Sequence, residues 1–247
     1  MLKVSSISNN DILSTLSPGR PIDATSLVPA SSLAKNPSTL SSEPLRTVDD
    51  QQAARKALDL LVLDAPRVIS SPYPDLENQL DLRPLDTPNR LLALAFTALQ
   101  PIRSDYATAD YLSSFNWDVV FSILQLLCLQ AGFEWGTREF YLVIFRSKLR
   151  SDADRDRLGV LDQKSHEEAC ASGGLLKYWF GSTDGERNNL ATCIWRNRED
   201  AAAGGKGPWH AKARASARTM YENISFHTHR FIIDEGGRKW KMEDYKS

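Results

Sequence analysis

Cysteine, histidine and methionine are scarce in this chain: three, four and three among 247 residues. Cys128, Cys170 and Cys193 stand far apart, without the paired spacing of a zinc site or a disulfide framework. In apolar surroundings each reads as a small hydrophobe, which fits a reducing compartment, and the cytoplasm is expected. Long hydrophobic runs are missing too. The longest, Val119 to Leu129, falls short of the about 20 residues needed to cross a bilayer and reads as a core helix. Net charge is only −1, so no global field draws the chain to nucleic acid or an anionic membrane. The basic run from Lys206 to Arg218 is bracketed by Glu199, Asp200 and Glu222 and reads as a solvated helix face. No dinucleotide fingerprint or Ser/His/Asp signature occurs. The GGKGPW run at Gly204 is not a phosphate loop, because no Ser or Thr follows Lys206. No organic cofactor is expected.

Aromatic residues are absent from positions 1–48, where serine and scattered prolines dominate. Such a segment buries too little apolar surface to offset its ordering entropy, so a loose or disordered tail is expected. It lacks the apolar core of a secretory signal. Its first twenty residues are poor in acids, as in mitochondrial transit peptides, but they have no arginine-rich amphipathic face.

What is present is organised around Gly173 to Ile233. Leu175–Phe180 and Leu190–Trp195 are rich in aromatic and aliphatic residues and read as strands joined by the polar loop 182–187. Trp209, Ala213, Ala217 and Met220 recur at helical spacing, predicting one helix over 198–223, and alternation returns in Ile224–Ile233. Upstream, helices are expected over 49–63 and over Trp117–Gln130, and Leu91–Leu99 reads as helix or buried strand, with alanine and leucine favouring helix. The proline-punctuated stretch 64–88 should be extended and wrap the domain. Glu139–Leu149 reads as a strand apolar on both faces, and Leu158–Ala171 as a helix stopped at Gly173–Gly174.

From Glu139 the order is strand, helix, strand, strand, helix, strand. That predicts an α+β, ferredoxin-like antiparallel sheet of four strands over 139–247, with a helical and irregular extension at 49–138 and a tail at 1–48. Two helices cover only one face. A twin subunit joined through the sheet, making a homodimer, or the residues before 139 must cover the other.

Two resemblances follow from the residues themselves. Trp195 with Arg196-Asn197-Arg198-Glu199-Asp200-Ala201, followed by a His210-containing helix, resembles the dimeric α+β barrel superfamily. Its members include antibiotic-biosynthesis monooxygenases, haem-degrading enzymes and a polyketide cyclase. From about residue 55 the stretches DAPRVISSPYPDL, LDLRPLDTPNRLLALAFTAL, EEACASGGLLKYWFG and NNLATCIWRNREDA resemble an uncharacterised fungal family known by a placeholder name. Proteins similar to that family include one associated with fungal polyene α-pyrone biosynthesis. The resemblance implies a cofactor-independent cyclase or lactonase acting on a small, apolar, carbonyl-rich polyketide-like substrate in fungal secondary metabolism. A cofactor-independent monooxygenase and a non-catalytic binder of hydrophobic ligands are the alternatives.

The candidate catalytic residues are His166, Tyr178, Arg196, His227 and His229. His166 would be a general base in a cleft between helix and sheet, or else a surface histidine paired with a carboxylate. Tyr178 or Arg196 would stabilise an oxyanion. His227 and His229 share one strand face, but without a third ligand no metal site is expected. Trp179, Trp195, His210, Phe226 and Lys177 are the candidate substrate-binding residues. Aromatic residues at such positions also serve simply as core, and strand-end charges as solvated surface.

Overall fold

The computed structural model describes residues 47–245. Of the tail expected over 1–48, all but Thr47 and Val48 lies outside the described residues. Those two open helix α1 (Val48–Leu58) through a capping box, in which Thr47 and Asp50 each accept the other's backbone amide. The proline-rich stretch after it is irregular, with a 3₁₀ turn at Leu76–Asn78 and a two-residue ladder between β1 (Arg67–Val68) and β2 (Leu80–Asp81). Helix α2 (Thr87–Phe96) starts at Asp86, whose carboxylate accepts the Asn89 amide, with Pro88 in the first turn. Helix α3 (Trp117–Ala131) stops at Gly132, which takes the left-handed conformation at φ 60°.

The chain is of mixed α+β class, and its main sheet is antiparallel throughout. It comprises β3 (Arg138–Leu149), β4 (Leu175–Phe180), β5 (Asn188–Trp195), β6 (Tyr221–Ile233) and β7 (Trp240–Asp244), in the spatial order β4-β5-β3-β6-β7. Four of these strands were expected; β7 is an addition. Helix α4 (Arg155–Ser172) follows β3. The helix expected over 198–223 is two helices, α5 (Arg198–Gly204) and α6 (Pro208–Met220), and β6 begins at Tyr221. The break falls at Gly204-Gly205-Lys206-Gly207-Pro208. Proline lacks the amide a helix interior needs but is suited to a first turn, so a new helix starts there. Gly204 is also required by packing: a Cβ there would lie 2.4 Å from the Trp195 ring.

Both faces of the sheet are covered by this one chain. Leu142, Ile144, Ile194 and Phe231 share a buried cluster with Leu92 and Phe96 of α2 and Phe121 and Leu124 of α3. Val143, Tyr178, Cys193 and Trp195, on the other face, pack on Leu158 and Leu161 of α4 and Ala213 and Met220 of α6. The cover expected over the second face is therefore the residues before 139. A copy joined through that face would have to displace α2 and α3. Arg146 secures the cover, donating from its guanidinium to the carbonyls of Tyr106, Ala107 and Ala109. Tyr111 adds a hydroxyl contact of 2.8 Å to Thr192 in β5. On the β4 side the Tyr178 amide donates to the Ser70 carbonyl at 3.0 Å.

Glu168 of α4 caps α6. Its carboxylate accepts the amides of Trp209 (2.8 Å) and His210 (3.1 Å) and lies 2.8 Å from His210 Nδ1. A Cβ on Gly207 would sit 2.1 Å from that carboxylate. Gly207→Ala is thus expected to cost about 2 kcal/mol by displacing the cap, read as a lower urea midpoint at unchanged slope.

Candidate functional site

Under α4 the helix–sheet interface is filled by a polar cluster. On α4, Leu158, Leu161, Asp162, Ser165, His166 and Ala169 form the buried stripe, so an acid and an imidazole point into the protein. The Asp162 carboxylate accepts from Tyr178 Oη at 2.8 Å and from the Tyr73 hydroxyl. The His166 ring packs 5.1 Å from that of Tyr178 and 5.5 Å from that of Tyr73. Asn78 Nδ2 donates to His166 Nδ1 at 2.8 Å, which leaves the imidazole proton on Nε2.

Burial sets the protonation of this cluster. It pushes the Asp162 carboxyl up to about 7, although both tyrosine hydroxyls favour the anion. Burial, helped by nearby His210, pushes His166 down to about 3. Near neutrality His166 is therefore an uncharged imidazole. With His166 and Tyr178 both at 0 % exposure, neither meets a ligand as the protein stands. The open catalytic cleft expected between helix and sheet is thus a packed interior: the side chains expected to line it fill it.

Open space lies at the end of the sheet. One cavity of about 730 Å³ is lined by Arg67, Glu167, Cys170, Gly173, Gly174 and Arg196. A second, of about 600 Å³, is lined by Asp86, Asn89, Arg138, Glu139, Arg196 and Asn197. Arg196 and Pro84 line both. Arg196 projects from the end of β5, held by Asp200 at 2.7 Å. Gly173 and Gly174 turn between α4 and β4 with φ of 80° and 84°, conformations that suit glycine. Cys170 separates the first cavity from the polar cluster, with its Sγ 3.7 Å from both His166 ring nitrogens. Burial pushes its thiol up to about 12, so a thiolate–imidazolium pair does not form at neutral pH.

The predicted site residues divide between the two faces. His166, Tyr178, Trp195 and Phe226 are on the α4–α6 side, where Trp195 is buried under Gly204 and Phe226 is half-buried against Phe145. His210 is wholly buried at the α4–α6 contact and lies away from the cavities just described. His227 and His229 share a face as expected, but it is the opposite one. Their register with Ile144 and Leu142 puts them on the α2–α3 side, His227 exposed and His229 3.2 Å from Asp244. Lys177 and Trp179 also face that side. Trp179 packs edge-on against Tyr106 and Phe115, and burial pushes the Lys177 amine down to about 8. Only Arg196 among the ten lines the cavities at the sheet end.

Residues 69–244 match the model of the PB2B2.08-like family. The chain belongs to that family. It is 33 % identical over 184 residues to the UPF0643 protein PB2B2.08 of Schizosaccharomyces pombe, an alignment covering 72 % of this chain and 84 % of the yeast protein. Among solved structures, that of Rv0793 from Mycobacterium tuberculosis is similar at 17 % identity and a TM-score of 0.32, covering 36 % of this chain and 91 % of its own. The PB2B2.08-like region holds the polar cluster and the cavity-lining residues named above except Arg67. Asp162, Tyr73 and Glu167 belong to no motif in the sequence, and Cys170 reads there only as a small hydrophobe. A signal for Asp162 did exist, because it interrupts an otherwise apolar and small stripe spaced at 158, 161, 165 and 169.

Proposed function

We propose that the chain is a cofactor-independent acid–base enzyme that closes a ring in a small, carbonyl-rich, polyketide-like acid, working in the strand-end cavity around Arg196. The observation that carries this reading is that Arg196, already implicated by the strand-end sequence, lines both cavities and shares the 730 Å³ one with Glu167, whose carboxylate accepts from Lys164 at 2.9 Å. In this scheme Glu167 takes the proton of an enol hydroxyl, and the enol oxygen attacks the terminal carboxyl carbon. Arg196 holds the oxyanion that forms, and Glu167 returns its proton to the departing hydroxyl, so that water leaves as the lactone closes. The strand order supports assigning the sheet to the ferredoxin-like, dimeric α+β barrel type, and the three free cysteines support a reducing, cytoplasmic setting.

The test is incubation with short triketide and polyene acids followed by mass spectrometry. Wild type should yield a product lighter by one water, and Arg196→Ala should lower its rate about 100-fold or more, the usual effect of removing an oxyanion donor. Glu167→Gln should do likewise. Unchanged substrate in every reaction would sink the cyclase reading. The second reading, a binding protein without turnover, is favoured by the complete burial of His166 and Tyr178. It would be supported by saturable binding of the same acids without conversion.

A further inference from the structure

Among the described residues Arg138 is a cation without an acid. At the start of β3 its guanidinium lies 6.0 Å from the Phe133 ring centre and 5.8 Å from that of Trp135. Its Nε is buried with no hydrogen-bond partner, and among the described residues no carboxylate pairs with it. A buried donor left without an acceptor is costly, more so when it carries charge. Such a group persists where an acceptor arrives from outside the protein.

The surroundings supply the rest of a binding site. Arg138 lines the 600 Å³ cavity, which is within the range that holds a small molecule. Both acids lining that cavity are already committed: Asp86 accepts from the backbone and side-chain nitrogens of Asn89, and Glu139 binds Arg230 at 2.6 Å. The second arginine there, Arg196, engages Asp200 through Nε. Aromatic rings beside Arg138 restrain the planar fork, which reduces the entropy lost when it grips a planar or tetrahedral anion.

We propose that this cavity binds the carboxylate or phosphate group of a small molecule, with Arg138 as its principal ligand and Arg196 as the second. The inference rests on Arg138 and holds whether or not ring closure occurs next door. Because Arg196 and Pro84 also line the 730 Å³ cavity, one elongated molecule can place its anionic end here and its remaining length there.

The experiment is isothermal titration calorimetry of the full chain with inorganic phosphate and, separately, with benzoate. Binding of only one probe tells a phosphate site from a carboxylate site. Arg138→Gln is expected to weaken binding by about 10- to 100-fold, the size of a lost charge-assisted contact. Arg138→Lys keeps the charge, loses the fork and should fall between. Arg150→Gln, which removes an exposed partner of Asp152 just past the other end of β3, should match wild type. Wild-type affinity should fall as salt is raised, a readout that stands even if Arg138→Gln does not fold. Absence of binding by either anion, or equal affinity in wild type and a folded Arg138→Gln, overturns the proposal. Neither result bears on lactone formation, which the mass-spectrometric assay reads separately.

Discussion

Asp162→Ala is expected to lower the thermal midpoint by about 10 °C. The substitution strands the hydroxyls of Tyr73 and Tyr178, both donors to that carboxylate, where water does not reach. Each orphaned hydroxyl costs about 1–3 kcal/mol, and at about 2–4 °C per kcal/mol for a protein of this size the midpoint moves accordingly. A melt within a degree or two of wild type would refute the account of the cluster. Asp162→Asn is the more informative variant because it keeps the shape and removes the titrating group, exchanging one acceptor oxygen for an amide donor. With its carboxyl raised from 3.8 to about 7, native Asp162 holds more protons than the unfolded chain between those values. Its contribution to stability therefore falls as pH rises through that window, and the loss is complete above about 7. His166, lowered from 6.5 to about 3, acts in the opposite sense: its stabilising contribution is lost as pH falls through that interval. The two slopes oppose one another where they overlap. Asp162→Asn removes one of them, so its stability relative to wild type should improve on going from about pH 5 to about pH 8. Denaturant melts at both values measure this, and an unchanged difference would contradict it.

Arg146→Ala is expected to be nearly as damaging, for a different reason. Arg146 is a half-buried guanidinium bound to three carbonyls of the segment that lies over the sheet. Hydrogen bonds from a charged donor contribute about 1.5–3 kcal/mol each, and a shared side chain delivers less than the sum, so a loss of about 3–5 kcal/mol is anticipated. The distinguishing measurement is limited proteolysis. Cleavage should concentrate within residues 101–116 while the helices beyond β3 stay protected. Arg146→Lys should restore part of the protection. Uniform cleavage along the chain would show that Arg146 holds no particular segment.

Much of the fold could be read from residue pattern. Alternation in 139–149 with apolar side chains on both faces announced a strand covered on both sides, and the structure has one. Gly132 and the Gly173–Gly174 pair marked helix ends because their left-handed backbone excludes most side chains. The break at Gly204–Pro208 was equally legible, but helical spacing of Trp209, Ala213 and Ala217 on its far side suggested continuity across it. β7 was hidden by its charge: Lys241, Glu243 and Asp244 leave Trp240 and Met242 as its only apolar signal. The candidate site was harder still. Tyr73 meets Asp162 across 89 positions of sequence, a separation that no local period encodes. The division of the histidines between faces depends on which way each helix crosses the sheet, a property of connectivity and not of spacing.

The contact between Tyr178 and Ser70 has a consequence for solubility. A sheet margin with open amides and carbonyls invites another copy to add its own strand, and filaments grow from such templates. Here one margin is crossed at Tyr178 by the chain's own upstream segment. The other ends in a five-residue strand bearing Lys241, Glu243 and Asp244, charges that disfavour stacking. Deleting residues 64–75 should therefore open that margin to strand addition by another copy and seed fibres, read as a rise in light scattering, even where the remaining core still folds.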